Sequence, residues 1–97
     1  MEKDQVLITL RAHRGDLERL GVQHLFLFGS VARDEAGANS DVDLFFEYVD
    51  PAFSLIELID VQQHLCRVLG RPADVMTRES LHPVLRQAIE HSALQVF

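Results

Sequence analysis

Apolar residues recur at helical spacing near the start of the chain. Val6, Leu10, Leu17 and Leu20 lie three, four or seven residues apart, so one face of a helix from about Lys3 to Leu20 is apolar. His13 completes that stripe as a core-edge histidine, and Gly21 is a plausible stop. The pattern then changes. Leu25 to Phe28 is an unbroken apolar run ending at Gly29, which predicts a strand covered on both faces. Val31 to Asp34 fits a short helix, and Glu35 to Asn39 a loop. Val42 to Tyr48 predicts a second strand, closed by the turn at Asp50-Pro51. The gap between these strands suits antiparallel pairing with a functional insertion.

Ser54-Leu-Ile-Glu57 has the form of a capping box. It opens a predicted helix to Leu69, with Leu55, Leu58, Ile59, Leu65, Cys66 and Leu69 on one arc. Ile56, Val61 and Val68 fall off that arc, as Ile8 does in the first helix. Gly70 and Pro72 end the segment. Ala73 to Thr77 reads as a third strand. Pro83 suits the first turn of a last helix, on which Leu85, Ala88, Ile89 and Ser92 share a face. Ala93 to Phe97 adds an edge strand. The order α-β-β-α-β-α-β predicts an α+β fold: a small mixed sheet with helices packed on one side.

Length fits this plan, because 97 residues suffice for one domain spanning 1–97 with no separate substrate domain. Charge narrows the partners. Nine Lys and Arg against fifteen Asp and Glu give −6, with no basic cluster. Nucleic-acid binding rests on cations that neutralise phosphates, so direct contact with nucleic acid is not expected. A basic protein or a metal-bound nucleotide suits this surface better. No apolar run reaches the roughly 18 residues of a membrane span. A charged start without a signal-peptide core and a lone Cys66 point to a cytoplasmic protein.

The chemistry concentrates in Phe28-Gly-Ser-Val-Ala-Arg33 and Ser40-Asp-Val-Asp-Leu44. Gly29 after a strand lets backbone approach a ligand without a Cβ in the way. The amides that follow suit phosphate, the Ser30 hydroxyl adds a donor, and Arg33 can reach a phosphate oxygen. A Gly-Ser pair alone is most often a turn. Asp41 and Asp43, two apart in a strand, point to one face beside Leu44, Phe45 and Phe46. A hard cation such as Mg²⁺ removes the repulsion between them. By themselves they equally suit a solvated strand start. Joined to Gly29-Ser30 across one short loop, they indicate a metal–nucleotide site. His24, His64, His82 and His91 read as structural or exposed, and no other His or Cys stands at metal-ligand spacing from His13.

Gly-Ser-x-Ala-Arg, six residues, then Ser-Asp-x-Asp-Leu resembles the signature of the DNA polymerase β-type nucleotidyltransferase superfamily. The flanking helices and late strand follow that family's order over nearly the whole chain. Length resembles the minimal nucleotidyltransferases, the antitoxins of MNT/HEPN toxin–antitoxin pairs. Many relatives have Gly after the Arg, where this chain has Asp34. The resemblance implies a polymerase β palm-like fold and a third carboxylate, which Asp74 matches. It implies that Asp41, Asp43 and Asp74 hold two Mg²⁺ ions, with Gly29, Ser30, Arg33 and Ser40 around an ATP.

The implied function is AMP transfer from ATP to a tyrosine of a cognate HEPN-type ribonuclease toxin. Two alternatives stand beside it. One is a stoichiometric antitoxin that blocks its toxin by contact, and the other is a subunit of a small-molecule nucleotidyltransferase, which would need a second chain.

Overall fold

The computed structural model describes residues 3–35 and 41–97. Helices α1 (Lys3–Ala12) and α2 (Arg14–Arg19) lead to β1 (His24–Phe28), and a four-residue helix α3 (Gly29–Ala32) follows directly. Next come β2 (Val42–Glu47), the long helix α4 (Leu55–Leu69), β3 (Ala73–Thr77), a 3-10 turn at Arg78–Ser80, α5 (Pro83–Ser92) and β4 (Leu94–Gln95). The four strands lie in the order β3-β2-β1-β4. β1 pairs antiparallel with β2 and β4, whereas β2 and β3 run parallel. The sheet is therefore mixed, as the α+β reading expects.

Alternation in the strands sets the two faces of the sheet. Leu25 and Leu27 of β1, Val42, Leu44 and Phe46 of β2, and Ala73 and Val75 of β3 join the core. Val6, Leu10 and Leu17 from the first two helices and Val61, Leu65 and Leu69 from α4 complete it. The opposite face carries Phe26, Phe28, Asp43, Phe45 and Asp74. β1 is thus fully covered on one face only, with its residues alternating between part-buried and buried. Four consecutive apolar residues suggested two covered faces. The second is instead shielded by the aromatic rings themselves, with Phe26 and Phe45 stacked at 4.7 Å.

Three helical expectations need correction. The first helix breaks at His13 (φ −102°, ψ 16°) into α1 and α2, although the apolar stripe continues through Leu17. Gly15, a poor helix former just beyond the break, weakens the turn that would have bridged it. In α4, Val61 is fully buried, whereas Leu55 and Ile59 are 69% and 43% exposed. Val61, Leu65 and Leu69, spaced by fours, are buried, and Leu58 and Cys66 of the expected arc pack part-buried against the core, so it is Leu55 and Ile59 that overhang it. Leu85, placed on a shared face of the last helix, is exposed, and no residue of α5 is buried. The caps agree with expectation. The Ser54 amide donates to the Glu57 carboxylate at 2.8 Å, Gly70 closes α4 in a left-handed conformation, and Pro83 occupies the first turn of α5.

Candidate active site

Register brings the candidate residues together. Phe28, the last residue of β1, lies opposite Asp43 of β2, and Asp43 lies beside Asp74 of β3. The row Phe28–Asp43–Asp74 therefore crosses three strands, each about 4.8 Å from the next. Asp41 immediately precedes β2 and is exposed, as is Asp74. Asp43 is half-buried, and its carboxyl is raised above the ordinary range. Burial is the largest cause, followed by the charges of Asp74 and Asp41, with Arg33 partly offsetting them. A desolvated carboxylate flanked by two like charges fits a divalent cation with oxygen ligands, which would relieve all three effects.

Gly29 bends the chain beside this carboxylate. Its φ is +76°, a region that residues with a Cβ rarely adopt. A Cβ built there would collide with the Asp43 carboxylate. Both backbone freedom and clearance thus demand glycine. α3 starts at the same residue, so the amides of its first turn lack partners within the helix. Ser30 is half-buried in this turn. The turn then closes through the Glu35 amide on the Ser30 carbonyl at 2.9 Å.

Arg33 lies at the end of α3, exposed, with Nε 3.0 Å from Glu35. Its charge acts on Asp43, but its guanidinium is held by Glu35. An exposed pair of this kind is worth little, so Arg33 is free to turn toward a phosphate. Asp34 follows with φ +57°, the conformation for which glycine is best suited. The chain's departure from the family pattern thus places a tolerated but strained residue there, with Lys3 Nζ at 3.4 Å from its carboxylate. Ser40 lies outside the described residues.

The linear pattern did not disclose the aromatic floor. Phe28 and Phe45 have ring centroids 5.7 Å apart, immediately below Asp43 in the sheet. Arg78 lies over the Phe26 and Phe45 rings at 4.9 and 5.4 Å. Taking alternate residues of Phe26–Phe28 and Asp43–Phe45 together would have shown the apolar side of this floor. Arg78 follows β3 and could not be placed without its register.

Comparisons with known proteins bear on the family and the fold. The profile described as "Nucleotidyltransferase domain" matches residues 10–95. A Methanocaldococcus jannaschii chain with the provisional name protein adenylyltransferase MJ1217 is 35% identical over 89 residues, covering 90% of each chain. Protein adenylyltransferase MntA of Thermococcus cleftensis is 30% identical, covering 96% of this chain and 94% of its own. A crystal structure described as a toxin–antitoxin with AMP-PNP superposes with a TM-score of 0.72 at 24% identity, covering 90% of this chain and 72% of that one. At that identity, the likeness speaks to the fold.

Proposed function

Because the chain belongs to the nucleotidyltransferase domain family, we propose that it is an antitoxin protein adenylyltransferase that moves AMP from ATP to a tyrosine of a cognate HEPN-type ribonuclease. The observation that carries this reading is Asp43, desolvated between Asp41 and Asp74 and approached by the Gly29 backbone. Relatives named as protein adenylyltransferases support the class of acceptor.

In this reading, Asp41, Asp43 and Asp74 hold Mg²⁺. When bound, paired Mg²⁺ ions supply charge to steady the attacking and leaving oxygens of an in-line displacement. Gly29 and Ser30 hold the β- and γ-phosphates, and Arg33 leaves Glu35 to neutralise the departing pyrophosphate. Ser40 joins the nucleotide contacts. The tyrosine oxygen attacks the α-phosphorus and the bond to the bridging oxygen breaks. Pyrophosphate departs, and Asp74 helps take the phenolic proton.

The partner would dock on apolar residues that the fold leaves uncovered. Ile8 on α1 and Leu55, Ile56 and Ile59 on α4 are exposed, and acidic net charge favours a basic ribonuclease. Val61 is buried and drops out of this surface. Ile56→Asp and Leu55→Asp, which alter exposed sites, should weaken co-purification with the ribonuclease while leaving the fold intact. Wild-type binding by both variants would move the interface elsewhere.

The direct test combines the chain, Mg²⁺, labelled ATP and the HEPN-type ribonuclease. Label on a ribonuclease tyrosine, lost with Asp43→Asn, is the expected result. An inhibited but unlabelled ribonuclease would establish blocking by contact instead.

A further inference from the structure

We propose that His13, Asp16 and His64 form a second divalent-metal site, suited to Zn²⁺, which ties the junction of α1 and α2 to α4. One ligand atom from each residue lies within 4.8 Å of the other two. Nδ1 of His13 is 3.5 Å from Oδ2 of Asp16. The edge of a tetrahedral site with bonds of about 2.0–2.1 Å is about 3.4 Å, so this pair already has the required spacing. The His13 and His64 rings meet edge to face, with centroids 5.9 Å apart. Small side-chain rotations would bring the third ligand into place.

An independent observation comes from His64. Its Nε2 is shut off from solvent and lacks a hydrogen-bond partner among the described residues. A buried ring nitrogen is normally hydrogen-bonded, and coordination would satisfy it. Asp16 is prepared from its other side, because Arg19 Nη1 holds Oδ1 at 3.1 Å and leaves Oδ2 turned to His13. Such a hydrogen bond to a ligating carboxylate orients it for the ion. The His13 and Asp16 side chains are 39% and 48% exposed, so an ion can enter and water can fill the fourth position.

Donor chemistry separates this site from the aspartate row. Two imidazoles and a carboxylate favour Zn²⁺ and its transition-metal neighbours, whereas Mg²⁺ prefers oxygen alone. The ligands come from different segments: His13 at the break between helices, Asp16 one turn later and His64 in the middle of α4. Their sequence separation hides the constellation from any motif search.

The test titrates Zn²⁺ into the full chain after chelator treatment, with Mg²⁺ in excess to occupy the aspartate row. Expected is one Zn²⁺ per chain at micromolar affinity or tighter, with a raised unfolding temperature. His13→Gln and His64→Gln should each weaken binding by more than about tenfold, the loss that even supporting residues of metal sites produce. Asp41→Asn and Asp43→Asn should leave it unchanged. Nitrogen-detected imidazole spectra of the wild type need no variant to fold. Zn²⁺ should shift His13 and His64 while leaving His24, His82 and His91 in place. Absence of Zn²⁺ binding under excess Mg²⁺, unchanged affinity in both histidine variants, or shifts confined to other histidines would each overturn the proposal.

Discussion

The two ends of the sheet's aromatic face handle acidic residues in opposite ways. At the end remote from Gly29, Arg78 stands between acids, with Nη1 3.1 Å from Glu47 and Nε 3.0 Å from Glu90, and spreads over the Phe26 and Phe45 rings. Nearby, Tyr48 donates to Glu79, which raises the phenol above its ordinary value. At the Gly29 end, the strongest influences on Asp43 are burial and two more carboxylates. Each cluster draws one residue from β2, Glu47 at the Arg78 end and Asp43 at the Gly29 end. At the Arg78 end a cation of the chain pairs with the acids, whereas Arg33 only partly offsets the charges around Asp43, and in the proposed function a divalent cation would offset the rest.

The largest effect that sharpens this contrast is on catalysis. Asp43→Asn should lower AMP transfer by about 10³-fold or more, comparable to the loss of a principal charge-stabilising group. Thermal unfolding of the metal-free protein should be unchanged or shifted upward. A marked drop in stability would make Asp43 a structural residue and erase the distinction. Gly29→Ala comes next: the left-handed φ and the collision with Asp43 should cost about 1–3 kcal/mol, measured by denaturant titration, and should disrupt transfer as well.

Arg78→Ala should destabilise by about 1–3 kcal/mol, less than a fully buried pair because Arg78 is part-exposed. Transfer measured well below the unfolding temperature should fall little. Loss of activity without loss of stability would place Arg78 in the working site.

The contrast also has a pH signature. Folding raises the Asp43 carboxyl, so its stabilising contribution is present below the unfolded value of about 3.9 and is lost as pH rises through the folded value. Metal-free wild type should therefore lose stability relative to Asp43→Asn as pH climbs from acid to neutral. Added Mg²⁺ should restore more to the wild type. Parallel pH curves for the two proteins would rule this out. The smallest effect is at Asp34: Gly there should stabilise by at most about 1 kcal/mol, because φ +57° costs glycine nothing sterically. A calorimetric shift in the opposite direction would show that the Lys3 contact outweighs the strain.

Local signals were legible in the chain. The Ser54–Glu57 box, Gly70 and Pro83 each act within a few residues, and they set the ends of α4 and the start of α5. The Gly29-Ser30 turn and the Asp41/Asp43 pair were legible for the same reason. What could not be read was nonlocal. The contact of Asp43 with Asp74 depends on the parallel register of β2 and β3, and Asp74 came only through family resemblance. Val61 and Ile59 are both aliphatic and two positions apart, so packing against the sheet, rather than composition, decides which is buried. The break at His13 is a tertiary choice that the continuous stripe conceals.

The parallel β2–β3 pair makes the candidate site unequally tolerant of insertions and deletions. Asp43 and Asp74 are neighbours across the sheet but are joined along the chain through the whole of α4. A residue added between Val49 and Ala52 alters an exposed connection, and the register of β3 is untouched. A residue added inside Ala73–Thr77 reverses every later side chain of that strand. An insertion between Ala73 and Asp74 would send Asp74 toward the core and leave the inserted residue beside Asp43. Length variation should therefore accumulate on one side of α4 and be excluded from the five residues of β3, and a library of single-residue insertions scored for AMP transfer would map that boundary directly.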